Sequence, residues 1–186
     1  FLAGACATTL CRKHGIDIPA AKDALFPRFR KAEGTMNWYC VDYWTDSLQM
    51  DIAQLKAEIK HLIDIHHYVI PFLERLREVG KPSILVTNAH PKSLMLKMDE
   101  TQVHNHLDHI ICAHDFGMPK EEQIFWDKLK AVHDFDTKRT LLCDDSLPVL
   151  RSAKKYGIEH LLAIHKPDSQ QPVKNIEEFE GITYFK

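Results

Sequence analysis

The stretch Thr140–Leu150, TLLCDDSLPVL, begins with a short apolar run and changes abruptly to two adjacent carboxylates, Asp144 and Asp145. An apolar run of this length, bounded by polar residues, is typical of a buried β-strand. Repulsion and desolvation both oppose two neighbouring carboxylates at the end of such a strand, unless a positive charge lies beside them. The stretch therefore predicts a strand whose carboxyl end binds a cation.

Similar apolar runs occur at residues 83–86, 109–113 and 160–164, and segments with helical periodicity separate them. Strands that lack apolar–polar alternation and alternate with helices are typical of a parallel sheet covered on both faces. We therefore predict an α/β fold with a Rossmann-like, doubly wound parallel sheet.

The amino-terminal third of the chain has a different pattern. Residues 1–67 show helical periodicity throughout, for example in an amphipathic segment that Asp51 is expected to cap. Strand–helix alternation begins at about residue 68. The sequence therefore predicts a helical domain of residues 1–67 and a sheet domain of residues 68–186.

The composition excludes several classes of partner. The chain has 24 Lys and Arg against 26 Asp and Glu and no basic stripe mixed with aromatic residues, which argues against nucleic acid. The apolar runs are too short to span a bilayer, so no membrane partner is expected. Five cysteines at irregular spacing indicate a reducing, cytoplasmic location. No signal for an oligomeric state is present.

Polar side chains follow three of the predicted strands. Thr87 and Asn88 come after the first, Lys120 lies in the loop after the second, and Asp144 and Asp145 end the third. Each has a structural alternative, since hydroxyls, amides and carboxylates also cap helices and a lysine beside glutamates is commonly solvated. Because ligands bind beyond the carboxyl ends of parallel strands, their joint occurrence favours one shared site.

These residue types suit phosphoryl transfer. The Thr87 hydroxyl and the Lys120 ammonium can stabilise the negative charge of a transferring phosphoryl group. Mg²⁺ prefers one or two carboxylates with water completing its octahedron, so we predict a magnesium site at Asp144 and Asp145. That cation would also explain why the two carboxylates tolerate each other.

The order of Thr87, Lys120 and the Asp144–Asp145 pair resembles motifs two to four of the haloacid dehalogenase-like phosphohydrolases, and the helical block of residues 1–67 resembles their cap. Within that family, four segments are similar to the GMP/IMP-type purine 5′-nucleotidases: NWYCVDYW (37–44), TNAHPKSL (87–94), FGMPKE (116–121) and CDDS (143–146). The resemblance covers nearly the whole chain. It implies Mg²⁺-dependent hydrolysis of a small phosphomonoester, a purine nucleoside 5′-monophosphate.

The resemblance also implies a role for each residue. Thr87 and Lys120 would bind the substrate phosphate, and Lys120 would also balance the charge of the nucleophile. Asn88 would support the phosphate loop. Asp144, helped by Asp145, would hold Mg²⁺.

One family motif is missing from the sequence. The first motif is a strand ending in Asp-x-Asp-x-Thr, whose first aspartate attacks phosphorus and whose second acts as general acid and base. The nearest match, Asp134 and Asp136 in DFDTK, lies in a polar connector without a strand signal. We therefore expect the chain to be truncated at its amino end, to lack the first strand with its nucleophile, and to be inactive as it stands.

Two other functions stay open at this point. A phospho-receiver signalling domain also uses an acidic pair, a threonine and a lysine around Mg²⁺, but there the acidic pair comes first in the chain and the lysine last. A non-catalytic family member would bind phosphate compounds without turnover, which the missing nucleophile favours.

Two sets of side chains also have open assignments. Trp38, Tyr39, Tyr43 and Trp44 either stack on a purine base or pack between helices, and aromatic residues generally favour burial. His90 is either a further phosphate contact or a helix cap.

Overall fold

The computed structural model describes residues 2–183, and the chain divides into two compact units. The first unit runs to Asp64 and includes Asn88–Gln102, and the second comprises Ile65–Thr87 and the residues from Val103 onward. Each unit has its own hydrophobic core. The division falls near the predicted boundary, but it groups residues 88–102 with the amino-terminal helices. The assignment of residues 1–67 as a cap domain stays a prediction.

The first unit is helical, and short polar residues set several of its helix ends. It contains α1 (Leu2–His14), α2 (Ile18–Ala32), α3 (Met36–Tyr39), α4 (Val41–Leu48), α5 (Ile52–Glu58), a 3₁₀ turn (Lys60–Leu62) and α7 (Pro91–Thr101). Asp51 caps α5 as predicted, because its Oδ1 accepts the N–H of Gln54 at 2.9 Å. No helix of the described residues combines the length and apolarity that a membrane span requires.

The core of the first unit assigns Trp44, one of the aromatic residues that could either stack on a base or pack between helices. Trp44 is 5% exposed, its ring packs edge-on against Phe29 at 5.0 Å, and its indole N–H donates to the carbonyl of Trp38 at 3.0 Å. Trp44 is therefore a packing residue. Trp38, in contrast, is 37% exposed.

The second unit contains the strands, and it confirms the predicted α/β fold class. Its elements are α6 (Val69–Glu78), β1 (Ile84–Thr87), a 3₁₀ turn (Val103–His106), β2 (His109–Cys112), α8 (Ala113–Phe116), α9 (Gln123–Val132), β3 (Leu141–Asp144), α10 (Leu147–Tyr156), β4 (His160–Ile164) and β5 (Glu180–Ile182). All strand pairs are parallel. The four predicted strands are present, and β5 is an addition that the sequence did not predict.

The strands form two separate sheets. One sheet pairs β1 with β2, and the other has the order β3–β4–β5. Among the described residues, β1 and β3 each have a single hydrogen-bonded neighbour, so each presents one open edge. Their apolar side chains are incompletely covered, since β1 is only half-buried and Leu141 of β3 is 49% exposed. Parallel strands are normally buried on both faces, so β1 and β3 leave apolar surface and backbone hydrogen-bonding groups uncovered.

A buried hydroxyl joins α9 to α10. Ser152 is 6% exposed, and its Oγ accepts the indole N–H of Trp126 at 2.9 Å and the side-chain amide of Gln123 at 3.0 Å. We expect Ser152→Ala to lower the free energy of unfolding by about 1–3 kcal/mol, because it leaves the buried indole N–H without an acceptor. Urea denaturation of a protein that includes the expected first strand measures this loss. Gln123→Ala is the control, since it removes the other donor but leaves the indole paired; an equal loss in both variants would contradict the assignment.

Candidate active site

A buried ion pair connects the carboxyl ends of β1 and β3. The Nζ of Lys120 lies 2.5 Å from Oδ2 of Asp144 and 3.2 Å from the carbonyl oxygen of Val86. Lys120 is 8% exposed and Asp144 is 9% exposed. Removing one partner of such a pair leaves an uncompensated buried charge, which is strongly destabilising. Lys120 therefore links the carboxyl end of β1, next to Thr87, to the carboxyl end of β3, where Asp144 lies.

The two adjacent carboxylates are directed to different partners. Successive side chains of a strand point to opposite faces, and Asp144 is the last residue of β3. The Oδ1 of Asp144 accepts the N–H of Ser146 at 2.9 Å, whereas Oδ2 of half-exposed Asp145 accepts an N–H of Lys174 at 2.8 Å. Each carboxylate thus has a lysine of its own. The two lysines reduce the repulsion between the carboxylates, which the sequence analysis had expected a bound cation to offset. Sequence reasoning missed Lys174, because it lies 29 residues from Asp145 and carries no motif.

Thr87 ends β1 and is half-buried, and Asn88 follows it and is 6% exposed. The carbonyl that accepts from Lys120 belongs to Val86, so Thr87 lies beside the ion pair along the chain. His90 caps α7, because its Nδ1 accepts the N–H of Lys92 at 3.3 Å. That contact supports the capping alternative for His90.

The DFDTK segment is a connector, as the sequence predicted. Asp136 accepts the N–H of Lys138 at 2.9 Å in the turn that leads into β3. This turn lies at the amino end of β3, and Lys120 contacts the carboxyl end of the same strand. A strand of four residues spans roughly 10–13 Å at about 3.3 Å per residue. Asp134 and Asp136 are therefore at the wrong end of β3 to act beside Lys120.

The thiol next to the acidic pair is not a nucleophile. Burial raises the pKa of Cys143 to about 11, and the negative charge of Asp144 also raises it. The thiolate is the reactive form of cysteine, so Cys143 stays protonated and unreactive at neutral pH.

The carboxylates at the carboxyl end of β3 provide some of the oxygen ligands that a magnesium ion needs. Mg²⁺ takes one or two carboxylates together with substrate phosphate oxygens and water. Asp144 is buried at the strand end, and a carboxylate has about four acceptor positions, of which Lys120 and the N–H of Ser146 occupy two. Asp144 therefore fits a ligand better than Asp145, whose carboxylate is half-exposed and faces Lys174.

Comparison of the sequence with known proteins identifies relatives. The family model of the haloacid dehalogenase-like hydrolases matches residues 28–163, which is more than half of the chain. The GMP/IMP nucleotidase YrfG of Escherichia coli K12 is 37% identical over 174 residues, covering 94% of this chain and 78% of the relative. The nucleotidase of the same name from Shigella flexneri matches with the same figures.

Solved structures share the fold. A HAD phosphatase from Thermococcus onnurineus superposes with a TM-score of 0.76 at 21% identity, covering 96% of this chain and 83% of the other. A HAD family enzyme from Bacteroides thetaiotaomicron, crystallised with magnesium and inorganic phosphate, superposes with a TM-score of 0.62 at 18% identity, covering 89% and 88%. The family match and the 37% identical nucleotidases show that the chain belongs to the haloacid dehalogenase-like hydrolases and that its enzyme class is that of a phosphatase.

Proposed function

We propose that this protein is a Mg²⁺-dependent phosphomonoesterase that hydrolyses purine nucleoside 5′-monophosphates such as GMP and IMP. The observation that carries the proposal is the buried pair of Lys120 and Asp144, which brings an ammonium and a carboxylate together at the carboxyl ends of β1 and β3. The identity of 37% to a GMP/IMP nucleotidase supports the choice of substrate.

Each polar residue at the carboxyl ends of β1 and β3 would have its own role in the reaction. The Lys120 ammonium would bind a phosphate oxygen and balance the charge of the nucleophile, and the Thr87 hydroxyl would donate to a second oxygen. Asn88 would support the loop that follows β1. Asp144, with Asp145, would hold Mg²⁺, which supplies positive charge to the phosphoryl group when it is bound.

The nucleophile would come from a strand outside residues 1–186, placed between β1 and β3. The open edges of these two strands and the exposure of Leu141 support this placement. An aspartate oxygen of that strand would attack phosphorus, and the nucleoside oxygen would leave with a proton from the second aspartate. Water would then hydrolyse the aspartyl-phosphate and release inorganic phosphate.

A phosphate-binding protein without turnover is the second candidate. It is favoured by the sequence, which contains no Asp-x-Asp that follows an apolar strand. We also propose a cytoplasmic location, because Cys6, Cys11, Cys40, Cys112 and Cys143 are all free thiols.

The substrate profile of the longer protein, defined as these 186 residues preceded by the strand that carries the proposed nucleophile, tests the proposed function. We expect kcat/KM for GMP and IMP to exceed that for CMP and UMP by at least about tenfold, the equivalent of about 1.4 kcal/mol of discrimination. Phosphate release with Mg²⁺ measures it, and EDTA provides the control. Equal rates on nucleotides and sugar phosphates would overturn the purine preference, and phosphate binding without release would favour the second candidate.

A further inference from the structure

Two adjacent cavities lie within the first unit. One has a volume of about 180 Å³ and is lined by Trp38, Tyr39, Lys56, Ser93 and Lys97 among others. The other has a volume of about 250 Å³, and its wall adds the aliphatic side chains of Ile59, Leu62, Ile63 and Leu96 to the same serine and two lysines. Because the two cavities share Lys56, Ser93 and Lys97, we refer to them as the two lobes of one pocket.

The shared wall carries positive charge without a counterion. Lys56 lies on α5 and Lys97 on α7, and neither ammonium has a hydrogen bond or ion pair within residues 2–183. The nearby Glu100 pairs with Lys60 at 2.8 Å and is therefore already engaged. Burial lowers the pKa of Lys56, and the positive charge of Lys97 lowers it further. An anion at this wall would relieve the repulsion between the two lysines.

A hydroxyl on the same wall also lacks a hydrogen-bond partner among the described residues. Ser93 is 6% exposed, and its Oγ makes no hydrogen bond to any of the described residues. Two ammonium groups and a free hydroxyl form a set of donors that suits a compact anion with several acceptor oxygens, such as a phosphate group.

The first lobe is also lined by aromatic side chains. Trp38 is 37% exposed, and its ring is held edge-on against Phe29 at 6.1 Å. Its neighbour Tyr39 lines the same lobe. An accessible, positioned aromatic ring offers a surface on which a flat ligand can stack.

We propose that this two-lobed pocket binds an aromatic phosphate monoester, with the phosphate at Lys56, Lys97 and Ser93 and the ring against Trp38 and Tyr39. All five residues belong to the first unit, and none is assigned to phosphoryl transfer. The pocket therefore does not depend on the proposed catalytic function.

Pyridoxal 5′-phosphate is a suitable probe, because it combines an aromatic ring, a phosphate and an aldehyde. With the phosphate of the probe held by Lys97 and Ser93, the neutral amine of Lys56 adds to the aldehyde carbon, water leaves and an imine forms, which borohydride reduces to a stable secondary amine. Peptide mass spectrometry of the longer protein, in EDTA to prevent phosphatase activity, reports which lysines carry the label. We expect Lys56 to be labelled at least about tenfold faster than exposed, unpaired Lys31 on α2.

The phosphate dependence of this labelling is the decisive readout. Pyridoxal, which lacks the phosphate, should label Lys56 at least about tenfold more slowly, because it cannot form the charge-assisted hydrogen bonds that hold the probe at this wall. Lys97→Gln should bring the ratio of the two rates towards one, and Lys31→Gln should leave it unchanged. A ratio near one in the wild type, a ratio that Lys97→Gln does not change, or equal labelling of Lys56 and Lys31 would overturn the proposal.

Discussion

Lys120→Met should reduce phosphate release by the longer protein by about 10²–10³-fold, the scale for losing one preorganised donor to the transition state. The same substitution should lower the free energy of unfolding by about 3–5 kcal/mol, because it leaves Asp144 buried at 9% exposure without its ammonium partner. Phosphate assays with Mg²⁺ measure the loss of activity, and urea denaturation in EDTA measures the loss of stability. Methionine keeps most of the length of the lysine stem, so lost packing contributes little.

Two further variants separate catalysis from stability. Lys174→Met removes the partner of half-exposed Asp145 and should change the free energy of unfolding by about 0–1 kcal/mol. The double variant Lys120→Met with Asp144→Asn removes both charges, so it should recover most of the stability but none of the activity. A Lys120→Met protein with wild-type turnover would show that the site is assigned to the wrong residues.

Four of the strands and the polar residues at their carboxyl ends could be predicted because their signals are local. Each strand is a run of apolar residues bounded by polar ones, and Asp51 caps the helix that its position predicted. Lys120 precedes two glutamates and by itself resembles a solvated lysine. Lys120 was predicted as a site residue because it follows a parallel strand and ligands bind at the carboxyl ends of such strands. The structure places Lys120 beside Asp144.

The remaining features depend on long-range contacts that no local pattern encodes. Lys174 reaches Asp145 from a segment without regular structure, and β5 has three residues, one of them Gly181. Lys56 and Lys97 line one pocket although they lie on separate helices. The grouping of α7 with the amino-terminal helices likewise follows from packing alone.

The strand that we propose between β1 and β3 should have the largest effect on stability. An added strand would pair with the open edges of β1 and β3, each four residues long, and would cover Leu141. At about 1 kcal/mol per net hydrogen bond, this gain is comparable with the total stability of a domain, about 5–15 kcal/mol. We expect the 186 residues alone to be insoluble or to unfold with weak cooperativity, and the protein extended by a strand ending in Asp-x-Asp to unfold cooperatively.

Phosphate release from GMP by both proteins, across a range of Mg²⁺ concentrations, tests the central claim most directly. We predict no release by the 186 residues at any Mg²⁺ concentration and Mg²⁺-dependent release by the extended protein. Asp144→Asn in the extended protein should abolish most of that release. Hydrolysis of GMP by the 186 residues alone, or undiminished turnover by the Asp144→Asn variant, would contradict the assignment of both the nucleophile and the metal ligand.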